Sequence, residues 1–371
     1  MPLPSQADMA EATRLTREGR LAEAMAVLRG ALGAGPQPAA EPHGPARTAR
    51  PARLPSGVPA APPARDPRPG RRGRARPAAP VPIPDGALFE DRIFANAAGS
   101  RPYKLYVPSR AVEGRALPVV VMLHGCTQTP DDFAAGTRMN AIAEEEGFLV
   151  VYPAQTRGAN PSLCWNWFNA ADQERDRGEP ALIAGIARAV IAEHSADARR
   201  VYVAGLSAGG AKAAIMGATY PDLFAAIGVH SGLACGAARD MPSAFASMKQ
   251  GAPANASAPR RTGERGVPTI VFHGDRDTTV APVNGDQVAA AARAGEALAV
   301  RTERGQAQGG RRFTRTLHTD AAQRIVLEHW VLHGGGHAWS GGDASGSYTD
   351  PTGPDASRAM IRFFRAHATG G

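Results

Sequence analysis

The sequence predicts an α/β protein: a mostly parallel central sheet with helices on both faces, preceded by a short helical hairpin and a linker without fixed structure. Three observations carry this expectation. After Pro82, short apolar runs alternate with stretches of helical period, the pattern of strand-helix-strand crossovers. Leu117 to Leu123 (LPVVVML) is a continuous apolar run ending before Gly125, as a strand buried on both faces requires. Before Pro82 the composition changes character, with 14 of the 32 prolines between Pro36 and Pro82.

Taken in chain order, Leu21, Met25, Leu28 and Leu32 recur at helical spacing after a break at Gly19, so residues 1–35 are expected to hold a helical hairpin. It resembles one unit of a tetratricopeptide-type array, but no second copy follows, and one unit cannot bury its apolar face alone. Residues 36–82 contain almost no large apolar side chain and cannot offset the entropy of ordering, which predicts a solvated, cationic linker. The third segment, 83–371, is the α/β domain. Its expected strands are Phe89 to Phe94, Tyr103 to Val107, Leu117 to Leu123, Phe148 to Tyr152, Val201 to Ala204, Phe224 to His230, Thr269 to His273 and Ile325 to Leu332. Its expected helices cover 130–146, 179–194, 208–219 and 353–366. In such a sheet, ligands bind outside the carboxyl ends of the strands.

Charge and composition exclude several function classes. The chain has 371 residues, 43% hydrophobic and 20% charged, enough for a large core. Its net charge is +8 and its isoelectric point about 9.9. However, nine Arg between Pro36 and Pro82 face only Glu41 and Asp66, so that stretch carries nearly all the excess. The α/β domain is close to neutral, and nucleic acid is not an expected partner. The linker's charge allows a weak contact with an anionic surface or granule. No run of 18 apolar residues occurs. Met1 to Ala12 lacks a basic start followed by an apolar core, which gives the expectation of a reducing, cytoplasmic setting.

The sharpest chemical signal is Gly205-Leu206-Ser207-Ala208-Gly209, set between the apolar strand from Val201 and an Ala-rich helix. A sharp strand-to-helix turn raises the serine hydroxyl at a helix N-terminus, and glycines on either side admit the close approach that the turn needs. A serine hydroxyl is a weak nucleophile at neutral pH and needs a base, which in turn needs an orienting carboxylate. In the α/β-hydrolase layout these follow in the order Ser, Asp or Glu, His, at the ends of later strands. The strand ending at His273 runs into Gly274-Asp275-Arg276-Asp277-Thr278-Thr279, and the strand ending at Leu332 into His333-Gly334-Gly335-Gly336-His337-Ala338-Trp339. Asp277 is favoured over Asp275, which is better placed to brace its loop, and the hydroxyls of Thr278 and Thr279 are expected to serve Asp277. His337, beyond the glycine run, is favoured over His333. His124, His230 and His273 sit at strand ends and are read as structural.

For the oxyanion, the turn His124-Gly125-Cys126-Thr127 follows a buried strand, so the backbone N–H groups of Cys126 and Ala208 can point at one spot; losing one such donor costs about 10²–10³ in rate. Cys126, Cys164 and Cys235 match no zinc spacing, and neither a metal nor an organic cofactor is expected. Pairing of Cys126 with Cys164 stays open, because a reducing compartment argues against it. Trp330 is read as core. Trp165, Trp167 and Trp339, on loops near the site, are candidates for an aromatic substrate pocket.

Together, HGCTQTPDDFA, CWNWF, VYVAGLSAGGAKA, VFHGDRDTTVAPVNG and GGGHAWSGG resemble the polyhydroxybutyrate depolymerase family of esterases, which also takes in feruloyl and acetyl-xylan esterases; the resemblance covers about Leu88 to His367. It implies an α/β-hydrolase fold with Ser207 as nucleophile, Asp277 as triad acid, His337 as base and an oxyanion donor at Cys126. It implies a serine carboxylic-ester hydrolase acting on hydroxyalkanoate oligomers, amorphous polyester or short acyl esters, with feruloyl or acetyl-xylan ester hydrolysis as the alternative. Relatives of this kind are often secreted, and those that erode crystalline polyester add a carboxyl-terminal polymer-binding domain. This chain stops soon after its last helix, so attack on dense polymer is not expected. From a different class, a non-catalytic binding protein on a hydrolase scaffold is the remaining alternative.

Overall fold

A computed structural model of the chain describes residues 81–111, 115–253, 266–293 and 297–370, all within a compact unit that runs from Ala78 to Gly371. The hairpin expected for 1–35 and nearly all of the linker expected for 36–82 lie outside the described residues.

Ten strands form one sheet in the order β1-β2-β4-β3-β5-β6-β7-β10-β9-β8. The middle is β4 (Leu149–Pro153), β3 (Val119–Leu123), β5 (Val201–Leu206), β6 (Ala226–His230), β7 (Thr269–Gly274) and β10 (Ile325–Leu332), all parallel. Antiparallel pairs close both sides: β1 (Leu88–Asn96) and β2 (Gly99–Val107) beside β4, and β8 (Ala299–Gln306) and β9 (Arg312–Thr319) beside β10. Every residue of β3, β4, β5, β6 and β7 is buried, which is why these strands read as unbroken apolar runs.

Successive side chains point to opposite faces, so β3 divides itself between two cores. Val119, Val121 and Leu123 join one with Ile183, Ile186 and Val190; Val120 and Met122 join the other with Phe133, Met360 and Phe364. Seven α-helices of the described residues cover the sheet: α1 (Pro130–Thr137), α2 (Met139–Glu146), α3 (Gly178–Glu193), α4 (Ala208–Thr219), α5 (Met241–Gln250), α6 (Val283–Arg293) and α7 (Ala356–Phe364). The first core packs under α3 and α4, the second under α1, α2 and α7.

Three differences from the sequence reading have physical causes. The helix expected over 130–146 is two helices, broken where Arg138 adopts φ 55°, ψ 24° and sends its guanidinium to Asp355 (3.0 Å) and the Gly341 carbonyl (3.2 Å). The apolar period runs on across the break, and Gly136, two residues before it, lies within the first helix and not at the turn itself. The β8–β9 hairpin and α5 and α6 are additions. β8 is mostly exposed and rich in charge, so it lacks a buried strand's alternation. The last helix is shorter than expected, starting only after Asp355, whose carboxylate caps the N–H of Arg358.

Candidate active site

The sequence motif around Ser207 forms a turn between β5 and α4 that only glycines permit. A Cβ on Gly209 would lie 2.0 Å from the Leu123 carbonyl oxygen, and one on Gly205 would lie 2.3 Å from Gly209. Between them Ser207 has φ 58° and ψ −119°, a sparsely populated conformation for a residue with a side chain. It is held there by its own N–H, which donates to the His230 carbonyl at the end of β6 (2.9 Å).

The loops after β7 and β10 carry Asp277 and His337, the residues expected as acid and base. His337 Nδ1 lies 2.7 Å from Asp277 Oδ2, and Asp277 Oδ1 accepts the backbone N–H groups of Thr279 and Val280, both at 2.9 Å. The donors are therefore backbone amides, and the threonine hydroxyls expected in that role are not used. Burial opposes ionisation of Asp277, yet the hydrogen bonds from His337 and Val280 outweigh it and hold the carboxyl below its ordinary range. The two loops are pressed together at Gly274, where a Cβ would lie 2.3 Å from the Gly335 carbonyl oxygen. Among the described residues Ser207 Oγ makes no hydrogen bond to His337 Nε2; contacts of this kind often tighten only when substrate is bound.

The alternative residues have other partners. Asp275 accepts from His333 Nδ1 (3.0 Å) and the Gly334 N–H (2.7 Å), tying the two loops at their exposed side. His124, His230 and His273 are buried, and burial pushes their imidazoles down, to about 4 for His124 and about 3 for His230. All three stay neutral near pH 7. The His230 ring stacks between Phe272 and Trp339 and accepts the Ser340 N–H at 3.0 Å, so it clamps the loop that bears His337.

Beside the serine turn, the hypothetical Cβ of Gly125 comes within 3.6 Å of Ser207 Cβ, which sets the His124-Gly125-Cys126 turn against the elbow. The Gly125 N–H donates to Gln128 Oε1 (2.9 Å) and the Thr127 N–H to the Ser162 carbonyl (2.8 Å), whereas the Cys126 N–H has no hydrogen-bond partner among the described residues. Cys126 is joined to Cys164 by a disulfide. The Ala208 N–H stands at the first position of α4, where no intrahelical acceptor exists.

Behind this turn lies a polar network the sequence reading missed. His124 Nε2 accepts the Gln155 N–H (3.1 Å), the Gln155 side chain donates to the Cys164 carbonyl (2.8 Å), and Glu179 accepts from the Asn166 N–H (2.9 Å) and pairs with Lys212 Nζ (2.9 Å). Lys212 and Glu179 are both buried, and each charge is offset by the other and by further hydrogen bonds, Glu179 accepting from Asn166 and Lys212 donating to the Asp172 carbonyl (2.8 Å). The available signal was Lys212 itself, a cation inside the otherwise small and apolar helix α4.

The aromatic pocket needs correction. Trp165, Trp167 and Trp339 are 0%, 5% and 1% exposed, so none offers a ring face to a ligand. Each indole N–H of the two most buried needs an acceptor, and the interior supplies it: Trp165 donates to the His124 carbonyl and Trp339 to Ser357 Oγ, both at 3.0 Å. Among the described residues no cluster of three or more His, Cys, Asp or Glu is arranged to hold a metal ion, and no helix is long and apolar enough to cross a membrane.

A parallel sheet with a serine on its central elbow and an acid-histidine pair at the ends of two later strands defines an α/β hydrolase. The family model described as esterase PHB depolymerase matches residues 101–311, more than half of the chain, and the chain belongs to that family. The matched range includes Ser207 and Asp277 and ends before His337. Curated relatives include poly(3-hydroxyalkanoate) depolymerase C of Paucimonas lemoignei, 42% identical over 45% of this chain and 42% of that protein, and feruloyl esterase B of Neurospora crassa, 37% identical over 37% of this chain and 47% of that protein. The chain thus spans about half the length of the curated relatives it matches. Among solved structures, an acetyl xylan esterase from Aspergillus awamori superposes with a TM-score of 0.57 over 76% of this chain and 99% of its own, at 22% identity, a likeness of fold.

Proposed function

We propose that the protein hydrolyses carboxylic esters through an acyl-enzyme on Ser207. The observation that carries this reading is the Asp277–His337 hydrogen bond of 2.7 Å after β7 and β10, in the same sheet whose β5 ends at Ser207 in a strained elbow. His337 takes the proton from Ser207 Oγ as that oxygen attacks the ester carbonyl. Asp277 keeps the proton on Nδ1, leaving Nε2 as the base. The N–H groups of Cys126 and Ala208 receive the oxyanion. Collapse of the tetrahedral intermediate expels the alcohol, which takes the proton back from His337, and water repeats the sequence to free the acid. No step calls for a metal or organic cofactor.

Hydroxyalkanoate oligomers, amorphous polyester and short acyl esters are the proposed substrates, supported by the 42% identity to a protein named as a poly(3-hydroxyalkanoate) depolymerase. Identity of 37% to a feruloyl esterase supports the alternative of a feruloyl or acetylxylan ester. For segment 36–82 the reading is a solvated spacer capable of weak contact with an anionic surface. Ser207→Ala should reduce hydrolysis of p-nitrophenyl butyrate to a trace and abolish labelling by a fluorophosphonate probe. Substantial residual turnover would refute the assignment, and failure of the intact protein to react with the probe would favour a non-catalytic binding role. Relative rates on hydroxybutyrate trimer, methyl ferulate and acetylated xylan separate the substrate classes.

A further inference from the structure

We infer that Tyr348 is a substrate-contacting residue whose ring receives the apolar part of the ester beyond the scissile bond. The inference rests on the ester-hydrolase reading above and specifies where its substrate is gripped. With the indoles turned inward, an aromatic face at the site must come from elsewhere, and Tyr348 is 47% exposed. Its phenol oxygen lies 3.3 Å from Thr127 Oγ1, one residue past Cys126, and its carbonyl accepts the Trp339 N–H (2.7 Å), two residues past His337. One residue therefore bridges the oxyanion turn and the loop of the base.

The ring is held in place before any ligand arrives. Ser347, immediately before it, donates its N–H to Asp132 (2.9 Å), and Gln128 Nε2 donates to both Asp132 (2.8 Å) and the Ser347 carbonyl (3.1 Å) while its Oε1 accepts from Gly125. Tyr348 itself sits at φ 52° and Thr127 at φ 67°, conformations that bulky and β-branched residues adopt only when their surroundings enforce them. A tyrosine held at its backbone, in contact with Thr127 through its hydroxyl and about half exposed, offers an apolar platform at little entropic cost.

The test compares hydroxybutyrate trimer with methyl acetate, an ester with almost nothing beyond the ester bond, both followed by acid release. Tyr348→Ala and Tyr348→Leu should lower the trimer-to-acetate ratio of kcat/KM about three- to tenfold, mainly through KM, as loss of an aromatic contact predicts. Tyr348→Phe, which keeps the ring and loses the Thr127 contact, should hold that ratio within about twofold of the parent. Equal losses on both esters would assign Tyr348 a merely structural role and overturn the inference, as would unchanged ratios in all variants. If Ser207→Ala were as active as the parent on methyl acetate, the reading of Ser207 as the ester nucleophile would fail by itself, whatever the Tyr348 variants do.

Discussion

Asp277 occupies a position where one oxygen is committed to two backbone amides and the other to His337. An asparagine there keeps its Oδ1 on the two amides and turns its NH₂ to the imidazole, donating to Nδ1 and forcing the proton onto Nε2, while the opposite rotamer sets the NH₂ against two N–H donors. Asp277→Asn should therefore lower kcat for p-nitrophenyl butyrate by about 10⁴ with little change in KM, while Asp275→Asn, on the exposed His333 pair, should stay within a few-fold of the parent. Steady-state kinetics on the two variants decide it; similar losses would reverse the choice between the aspartates. The order Ser, Asp, His and the glycines around them were legible because turn chemistry is written in residue type. The acceptor and donor partners were not. Thr278 and Thr279 advertise hydroxyls, but the tight loop presents the amides of Thr279 and Val280 first. Tryptophans on loops suggest a pocket, yet an indole that finds an internal acceptor is free to turn inward.

At the scale of elements, the disulfide joins the turn after β3, proposed to receive the oxyanion, to the segment that follows β4, closing a loop with a sequence separation of 38. Loop-closure entropy makes such a crosslink worth about 4 kcal/mol. Cys126→Ser with Cys164→Ser should lower the melting temperature by roughly 10 °C and depress kcat more than KM, because the turn that presents the Cys126 N–H loses its tether. Calorimetry and kinetics with and without dithiothreitol report both, and an unchanged kcat would detach the crosslink from the chemistry. The sequence left this bond open because cysteine spacing carries no distance, whereas the fold puts the two turns side by side. Buried strands such as β3 and β5 were readable from continuous hydrophobicity. The β8–β9 hairpin was not, since an edge hairpin facing solvent on β8 keeps the polar texture of a loop.

For the whole molecule, the buried histidines set an acid limit on stability. Unfolded, each would protonate near its ordinary value of 6.5; folded, His124 holds out to about 4 and His230 to about 3, because burial disfavours the charged form. The unfolded chain thus binds more protons across that window. Their stabilising contribution is complete above about 6.5 and is lost as pH falls, at roughly 1.4 kcal/mol per pH unit for each histidine. Asp277 adds the same sign at lower pH, where its carboxyl titrates below the ordinary range. Urea midpoints should be flat from pH 8 to 6.5 and drop steeply by pH 4; midpoints unchanged down to pH 4 would contradict this account. The clamp that His230 places on the Ser340 amide has a temporal side as well. The serine elbow precedes β10 and the histidine loop in the chain, so the contact between that loop and the β6 ring forms only after the later segment has been made. On the proposed mechanism, a nascent chain therefore carries Ser207 without its base until that later segment has docked.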